Sequence, residues 1–282
     1  MRFASPLHCS RLRIGWQGRL LRGRRWIALC LALAVAALSP AAPAAAQLSP
    51  ERHWTVFRQS DGLIANDIYT ILATRDAIWF GTSYGISRFD GRWQSVPLGA
   101  DLLAPVATMP ISAPGNVVAM AEDASEIGVW VGTDRGIVAH WDGEQWRSVT
   151  LLAAPIHDMH QALGRIWLAT DEGLFILEEG SVRGVSAIGA VPVYDLDAGA
   201  DAIWTGAETG LWRVSNSGSK AVHFQLDVAT PLDAEAVHAV WSGEGESTWL
   251  GMGEQLVQYF PVTGDAQVYQ PFERDGTQVE SL

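Results

Sequence analysis

The sequence predicts an all-β chain, a β-propeller of four-stranded blades, on three observations. A tryptophan-centred motif recurs five times, the recurrence interval suits one blade, and residues 47–282 contain no long apolar stripe of helical period. The copies are Ile78-Trp79-Phe80-Gly81-Thr82, Val129-Trp130-Val131-Gly132-Thr133, Ile166-Trp167-Leu168-Ala169-Thr170, Ile203-Trp204-Thr205-Gly206 and Thr248-Trp249-Leu250-Gly251. Successive tryptophans lie 51, 37, 37 and 45 residues apart, against ~40–50 for a propeller blade.

Each element of a copy follows from local chemistry. Residues 67–74 alternate and are rich in β-formers, which predicts an inner strand. Ala77 to Thr82 is a second strand, with Trp79 directed between blades and Gly81 allowing close approach. Six residues after the tryptophan stands Gly85, repeated as Gly136, Gly173 and Gly210, where a tight turn favours positive φ; the fifth copy has Gln255 instead. An aliphatic residue always follows: Ile86, Ile137, Leu174, Leu211 and Leu256. Asp90-Gly91 and Asp142-Gly143 form the next hairpin turn, and Trp93 and Trp146 begin outer strands. The blades are expected at about 63–97, 115–151, 154–187, 191–226 and 235–272, with an extra outer strand at 53–58. A lone blade would leave an apolar face in water, so stacking on neighbours must stabilise it.

Residues 1–46 are of another kind. Arg24-Arg25 precede an apolar run from Trp26 to Leu38, then small residues ending Ala44-Ala45-Ala46. This predicts a signal peptide cleaved near Ala46 and a periplasmic or secreted product of residues 47–282. The 13-residue run is short for the ~30 Å hydrocarbon core. The leader holds seven arginines, no acid and both cysteines, Cys9 and Cys30. The whole chain carries −12; without the leader, 12 basic residues face 31 acidic ones. So acidic a chain is a poor nucleic-acid binder, and without cysteine it forms no internal disulfide and no cysteine-based zinc site.

The string Ile78-Trp-Phe-Gly-Thr-x-x-Gly-Ile-x-Arg-Phe-Asp-Gly91, introduced by Phe57-x-x-x-Asp61-Gly62-Leu63 and Asn66, resembles the periplasmic two-component regulator propeller, the ligand-binding sensor region of bacterial receptors. The resemblance spans about residues 53–282 and is closest in the first two copies. It implies a ring usually of seven blades, followed in full receptors by a β-sandwich, a membrane span and a histidine kinase or diguanylate cyclase. Six outer strands for five inner triplets suggest an incomplete part of that ring, lacking about two blades; an autonomous five-bladed ring with one frayed strand is the alternative.

Candidate chemistry is sparse. Gly81-Thr82-Ser83-Tyr84-Gly85 matches Gly-x-Ser-x-Gly, but the nucleophile elbow requires a strand-to-helix turn. The other copies place Asp134, Asp171, Glu208 or Gly253 at the serine position, as a tolerant hairpin turn would. His157 and His160 are spaced to share a metal on a helix, whereas on an alternating strand they face opposite ways. No metal motif or cofactor motif occurs. Trp93, Trp141 and Trp146 could stack on sugar rings, and blade packing is the better reading. Propeller function tends to sit on loops over a rigid scaffold. The end carrying the turns after each tryptophan motif presents Tyr84, Arg135, Glu172 and Thr209, together with the long connection at 98–115. Asn66, His157, Tyr194 and His238 from the inner strands are expected near the channel mouth there.

The expected function is a non-catalytic, exported sensor or recognition module that binds a small molecule or oligosaccharide on the loop face or in the channel. Its partner would be a membrane-bound histidine kinase or diguanylate cyclase. The alternatives are a propeller lyase, glycosidase or quinone-dependent dehydrogenase, or a secreted protein-interaction scaffold.

Overall fold

A computed structural model describes residues 55–99, 114–123, 128–162, 164–199, 201–224, 236–243 and 247–269. The leader, residues 100–113 of the 98–115 connection, and the start of the expected strand at 53–58 lie outside them. The chain divides into Met1–Thr55 and Val56–Leu282, and the architecture below is that of the second unit.

Among the described residues, twenty strands form five separate four-stranded antiparallel sheets, each in sequence order from an inner to an outer strand. Blade 1 comprises β1 (Ile68–Ala73), β2 (Ile78–Thr82), β3 (Gly85–Phe89) and β4 (Trp93–Pro97). Blade 2 comprises β5 (Val117–Glu122), β6 (Val129–Thr133), β7 (Ile137–Trp141) and β8 (Trp146–Leu151). Blade 3 has β9 (Ile156–Ala162), β10 (Arg165–Thr170), β11 (Gly173–Glu178) and β12 (Ser181–Gly184). Blade 4 has β13 (Val193–Ala198), β14 (Ala202–Ala207), β15 (Gly210–Ser215) and β16 (Ala221–Phe224). Blade 5 has β17 (Ala239–Trp241), β18 (Thr248–Met252), β19 (Gln255–Phe260) and β20 (Asp265–Tyr269). The inner strands pack in succession, β1 on β5, β5 on β9, β9 on β13 and β13 on β17. This is the blade arrangement of a β-propeller. Among the described residues, β1 and β17 share no substantial packing.

The described part of the expected strand at 53–58 is not a strand. Residues 55–58 run as irregular chain into a single 3-10 turn, Gln59–Asp61. There Phe57 lays its ring against Phe89 and Trp93, with centroids 5.6 and 5.4 Å away. Aromatic packing, rather than ladder hydrogen bonding, holds this segment to blade 1.

The repeat residues act as the sequence requires. Trp79, Trp167 and Trp204 are buried between consecutive blades. Trp130 is half-buried and stacks on His140 at 4.5 Å, while Trp249 is half-buried in the last blade. A Cβ at Gly81 would stand 2.7 Å from the Val117 carbonyl oxygen, and one at Gly206 would stand 2.6 Å from that of Val237. These contacts explain why the tryptophan motif needs a small residue facing the next inner strand; at Gly132 the neighbour is the Ile156 side chain. Gly85, Gly136, Gly173 and Gly210 all have positive φ, whereas Gly251 lies in β18 opposite Ala239 and Leu256.

Trp93 lies among Phe57, Phe80 and Phe89. Trp146 meets Trp141 edge-on and donates its indole N–H to the Pro97 carbonyl. These rings serve packing within and between blades. Among the described residues, no helix is long and apolar enough to cross a membrane.

Candidate functional site

Four inner strands begin with the same irregularity. The register slips by one residue at Tyr69 in β1, Val118 in β5, His157 in β9 and Tyr194 in β13. A β-bulge re-aims its extra side chain away from the sheet's alternation. In blade 5 the corresponding residue is His238, whose N–H bonds the Gly251 carbonyl just before β17.

The bulges at His157 and Tyr194, with His238 just before β17, bring three of the expected residues together. Tyr194 meets His157 edge-on, with centroids 5.7 Å apart, and stacks on His238 at 4.8 Å. The result is a ladder of rings from three consecutive blades. Blades 3 and 4 brace their own rungs through the hairpin turn after the tryptophan strand. His157 Nε2 donates to Asp171 Oδ1 at 2.6 Å, and the Tyr194 hydroxyl donates to Glu208 Oε2. Blade 2 makes the related contact two positions earlier: Asn116 donates its backbone N–H and side-chain Nδ2 to Asp134 at 2.9 and 2.7 Å.

The turn acids Asp134, Asp171 and Glu208 are therefore partners of the inner-strand openings, not merely tolerated turn residues. Their signal in the sequence was an acid four residues after Trp in three successive copies. Burial holds the Tyr194 hydroxyl up to about 12, assisted by its bond to Glu208 and by the negative charges of Glu208 and Asp171.

The other expected residues stand apart from the ladder. Asn66 is exposed and accepts the Gln59 N–H at 2.9 Å, so it fixes the segment before β1. The blade-1 residue in register with His157 is Tyr69, not Asn66. Tyr84 and Glu172 are exposed turn residues on this end, as is Arg135, whose N–H bonds the Thr133 hydroxyl. Thr209 accepts the Trp212 indole N–H. Ser83 sits in a strand-to-strand hairpin between β2 and β3, which lacks the strand-to-helix geometry of a nucleophile elbow. His157 and His160 diverge. His160 lines a cleft of about 240 Å³ farther along the inner strands, with Met120, Glu122 and Met159. Among the described residues, no group of three or more metal-ligating side chains forms.

Beneath the ladder lies a pair of carboxyls. Asp158 and Asp195, each next in sequence to a bulge residue, lie close enough for the charge of one to act on the other. Asp158 also accepts the Leu196 N–H at 3.0 Å, and Asp195 accepts the Val240 N–H at 2.6 Å. Each acid thus ties its own inner strand to the next. Asp197 continues the pattern by accepting the backbone N–H and hydroxyl of Ser242. Burial, then the neighbouring Asp158 charge, pushes Asp195 up to about 8, so the pair retains a proton at neutral pH.

Charge is segregated along blades 3–5. The turns on the ladder end carry Asp171, Glu172, Glu208 and Glu254. The described basic residues of these blades lie toward the other end. Arg165 bonds Glu178 and the Asn216 carbonyl, Arg183 bonds the Ser217 carbonyl, and Arg213 pairs with Asp201. Lys220 opens β16 beside them. The ladder end is acidic and rich in acceptors.

No protein-family model matches the chain, and no curated protein matches its sequence. Solved structures do match. The extracellular domain of the putative hybrid two component system BT4673 from B. thetaiotaomicron is 18% identical, with a TM-score of 0.57 over 77% of this chain and 29% of that one. The WD40 β-propeller domain of Doa1 is 12% identical, with a TM-score of 0.56 over 73% of this chain and 70% of that one. The GH74 xyloglucanase from Xanthomonas campestris is 14% identical, with a TM-score of 0.55 over 77% of this chain and 39% of that one. The likeness establishes the propeller fold. The chain spans less than a third of the length of the BT4673 domain.

Proposed function

We propose that this propeller is an exported, non-catalytic sensor module that binds a small molecule or oligosaccharide at the loop end of blades 3–5. The observation that carries this reading is the His157–Tyr194–His238 ladder, formed by the bulges at His157 and Tyr194 with His238 beside them, and braced at its first two rungs by Asp171 and Glu208. Rings with tethered acceptors suit a ligand that offers hydroxyl or ammonium donors and a nonpolar face. The acidic surroundings disfavour anions. The likeness to the BT4673 extracellular domain agrees with a sensor role, and the predicted leader agrees with a periplasmic or secreted site. A membrane-bound histidine kinase or diguanylate cyclase is the proposed output partner. The Asp158–Asp195 pair does not favour the enzyme alternative, because both carboxyls are already engaged with backbone N–H groups.

A thermal-shift screen with neutral oligosaccharides, organic cations and organic anions tests the reading. A ligand from either of the first two groups should raise the melting temperature. Tyr194→Ala and His238→Ala should abolish that shift, and Tyr84→Ala and Arg135→Ala should weaken it. A shift untouched by all four variants would move the site elsewhere, and a response confined to anions would overturn the proposed ligand chemistry.

A further inference from the structure

Among the described residues, every exposed large apolar side chain except Val222 of blade 4 lies in blade 1, the segment leading into it, or blade 5. Blade 1 exposes Phe57, Ile71 and Ile78, and blade 5 exposes Trp241 and Tyr269. The internal interfaces supply a position-by-position comparison. Ile71 pairs with Phe80 in β2 as Met120 pairs with Val131 in β6, and Ile78 and Val129 each precede the motif tryptophan. Ile71 is 61% exposed and Ile78 40%, whereas Met120 is 6% exposed and Val129 0%, because blade 2 packs that face on blade 1.

The last blade shows the reverse case. Trp241 pairs with Trp249 as Leu72 pairs with Trp79, and Tyr269 pairs with Leu256 as Val96 pairs with Ile86. Trp79, Ile86 and Val96 are buried against blade 2. In blade 5, Tyr269 is 36% exposed and Trp241 49%, and Trp249 lies against Tyr269 in a tilted ring contact. Blade 1 therefore shows water the face that a following blade normally presents, and blade 5 shows the face that a preceding blade normally presents. The two surfaces are the halves of one interface that the chain builds four times internally. Among the described residues β1 and β17 share no substantial packing, so the described halves do not meet.

We propose that these halves join between copies, the blade-5 face of one chain docking on the blade-1 face of a second copy. A second copy is the occupant that the repeat specifies, since it carries the matching face in the register already used at the four internal interfaces. The contact is head-to-tail, so each bound copy leaves one free face at either end and association continues beyond the dimer. Exposed contiguous apolar faces of this kind mark association surfaces.

Sedimentation of the purified protein, expressed from its full length, tests the proposal. At ~100 µM, ample for a micromolar contact, it should form a concentration-dependent series of dimers and larger species. Ile71→Lys with Ile78→Lys blocks one face; Trp241→Glu with Tyr269→Lys blocks the other. Each double variant alone should be monomeric. Mixed in equal amounts, they should give a one-to-one dimer and nothing larger, because each retains one working face. That dimer also shows that both variants are folded. A monomeric parent at this concentration, a blocked variant that still associates alone, or a mixture that stays monomeric would each overturn the proposal. Association through the leader would survive in both variants and is distinguished by that result.

Discussion

The rings of Tyr194 and His238 stack with centroids 4.8 Å apart and planes inclined by 29°, although they open the inner strands of different blades. Their contact depends on the bulge that turns Tyr194 out of the β13 alternation. The phenol is also tied to Glu208 on its own blade. One residue thus joins a contact between blades to a hairpin within a blade.

Separating these two contacts gives the first prediction. Tyr194→Phe keeps the ring and loses only the hydroxyl bond, so it should cost about 0.5–1 kcal/mol in denaturant unfolding. Tyr194→Ala should cost more. Combined with His238→Ala, it should show a coupling of about 0.5–1.5 kcal/mol in a double-mutant cycle. Strictly additive effects would show that the stack contributes nothing to stability.

The Asp158–Asp195 pair makes stability depend on pH. Asp195 has an ordinary value of 3.8 when unfolded and about 8 when folded. Between these values the native state binds more protons than the unfolded state, so this contribution falls as pH rises. It is full below about pH 4 and lost through about pH 8. His160 and Asp158 face the site, and Asp197 follows on β13. Asp195→Asn should gain progressively on the parent as pH rises from 5 to 8. Parallel stability curves for the two proteins across this range would refute the account.

The motif tryptophans should differ sharply in their contribution. Trp167 is 0% exposed between blades 3 and 4. Its replacement by alanine should cost about 3–5 kcal/mol, the range for deleting a buried aromatic ring. Trp249 faces the open side of blade 5, half-buried beside Tyr269, and Trp249→Ala should cost about 1–2 kcal/mol. Chemical denaturation of the two variants side by side makes the comparison.

Two glycines with positive φ separate backbone strain from steric clash. Gly85 has φ of 137°, and a Cβ there would stand 2.3 Å from the Val96 carbonyl oxygen. Gly91 has φ of 96° with nothing within 4 Å of the same atom. Gly91→Ala should cost about 1 kcal/mol from conformation alone. Gly85→Ala should cost at least about 2 kcal/mol more, because the backbone of β4 must move. Equal melting temperatures for the two variants would show that the β3–β4 hairpin yields more readily than this contact implies.

The sequence by itself determined the blade. Its tryptophans, small residues and turn glycines act over short separations, where alternation and positive φ leave little choice of local structure, and all five sheets follow that frame. It also pointed to His157, Tyr194 and His238 as residues near the mouth. Tertiary structure decided that these three meet, that Tyr69 rather than Asn66 occupies the corresponding place in blade 1, and that Asp171 and Glu208 are their braces. A one-residue bulge changes which way a side chain points, and its presence depends on the partner strand. Residues 55–58, which look like an outer strand, are held by Phe57 against Phe89 and Trp93. Which face of a blade meets water is likewise decided by what lies beside it: Ile71 and Met120 occupy equivalent positions, and only the second has a preceding blade packed against it.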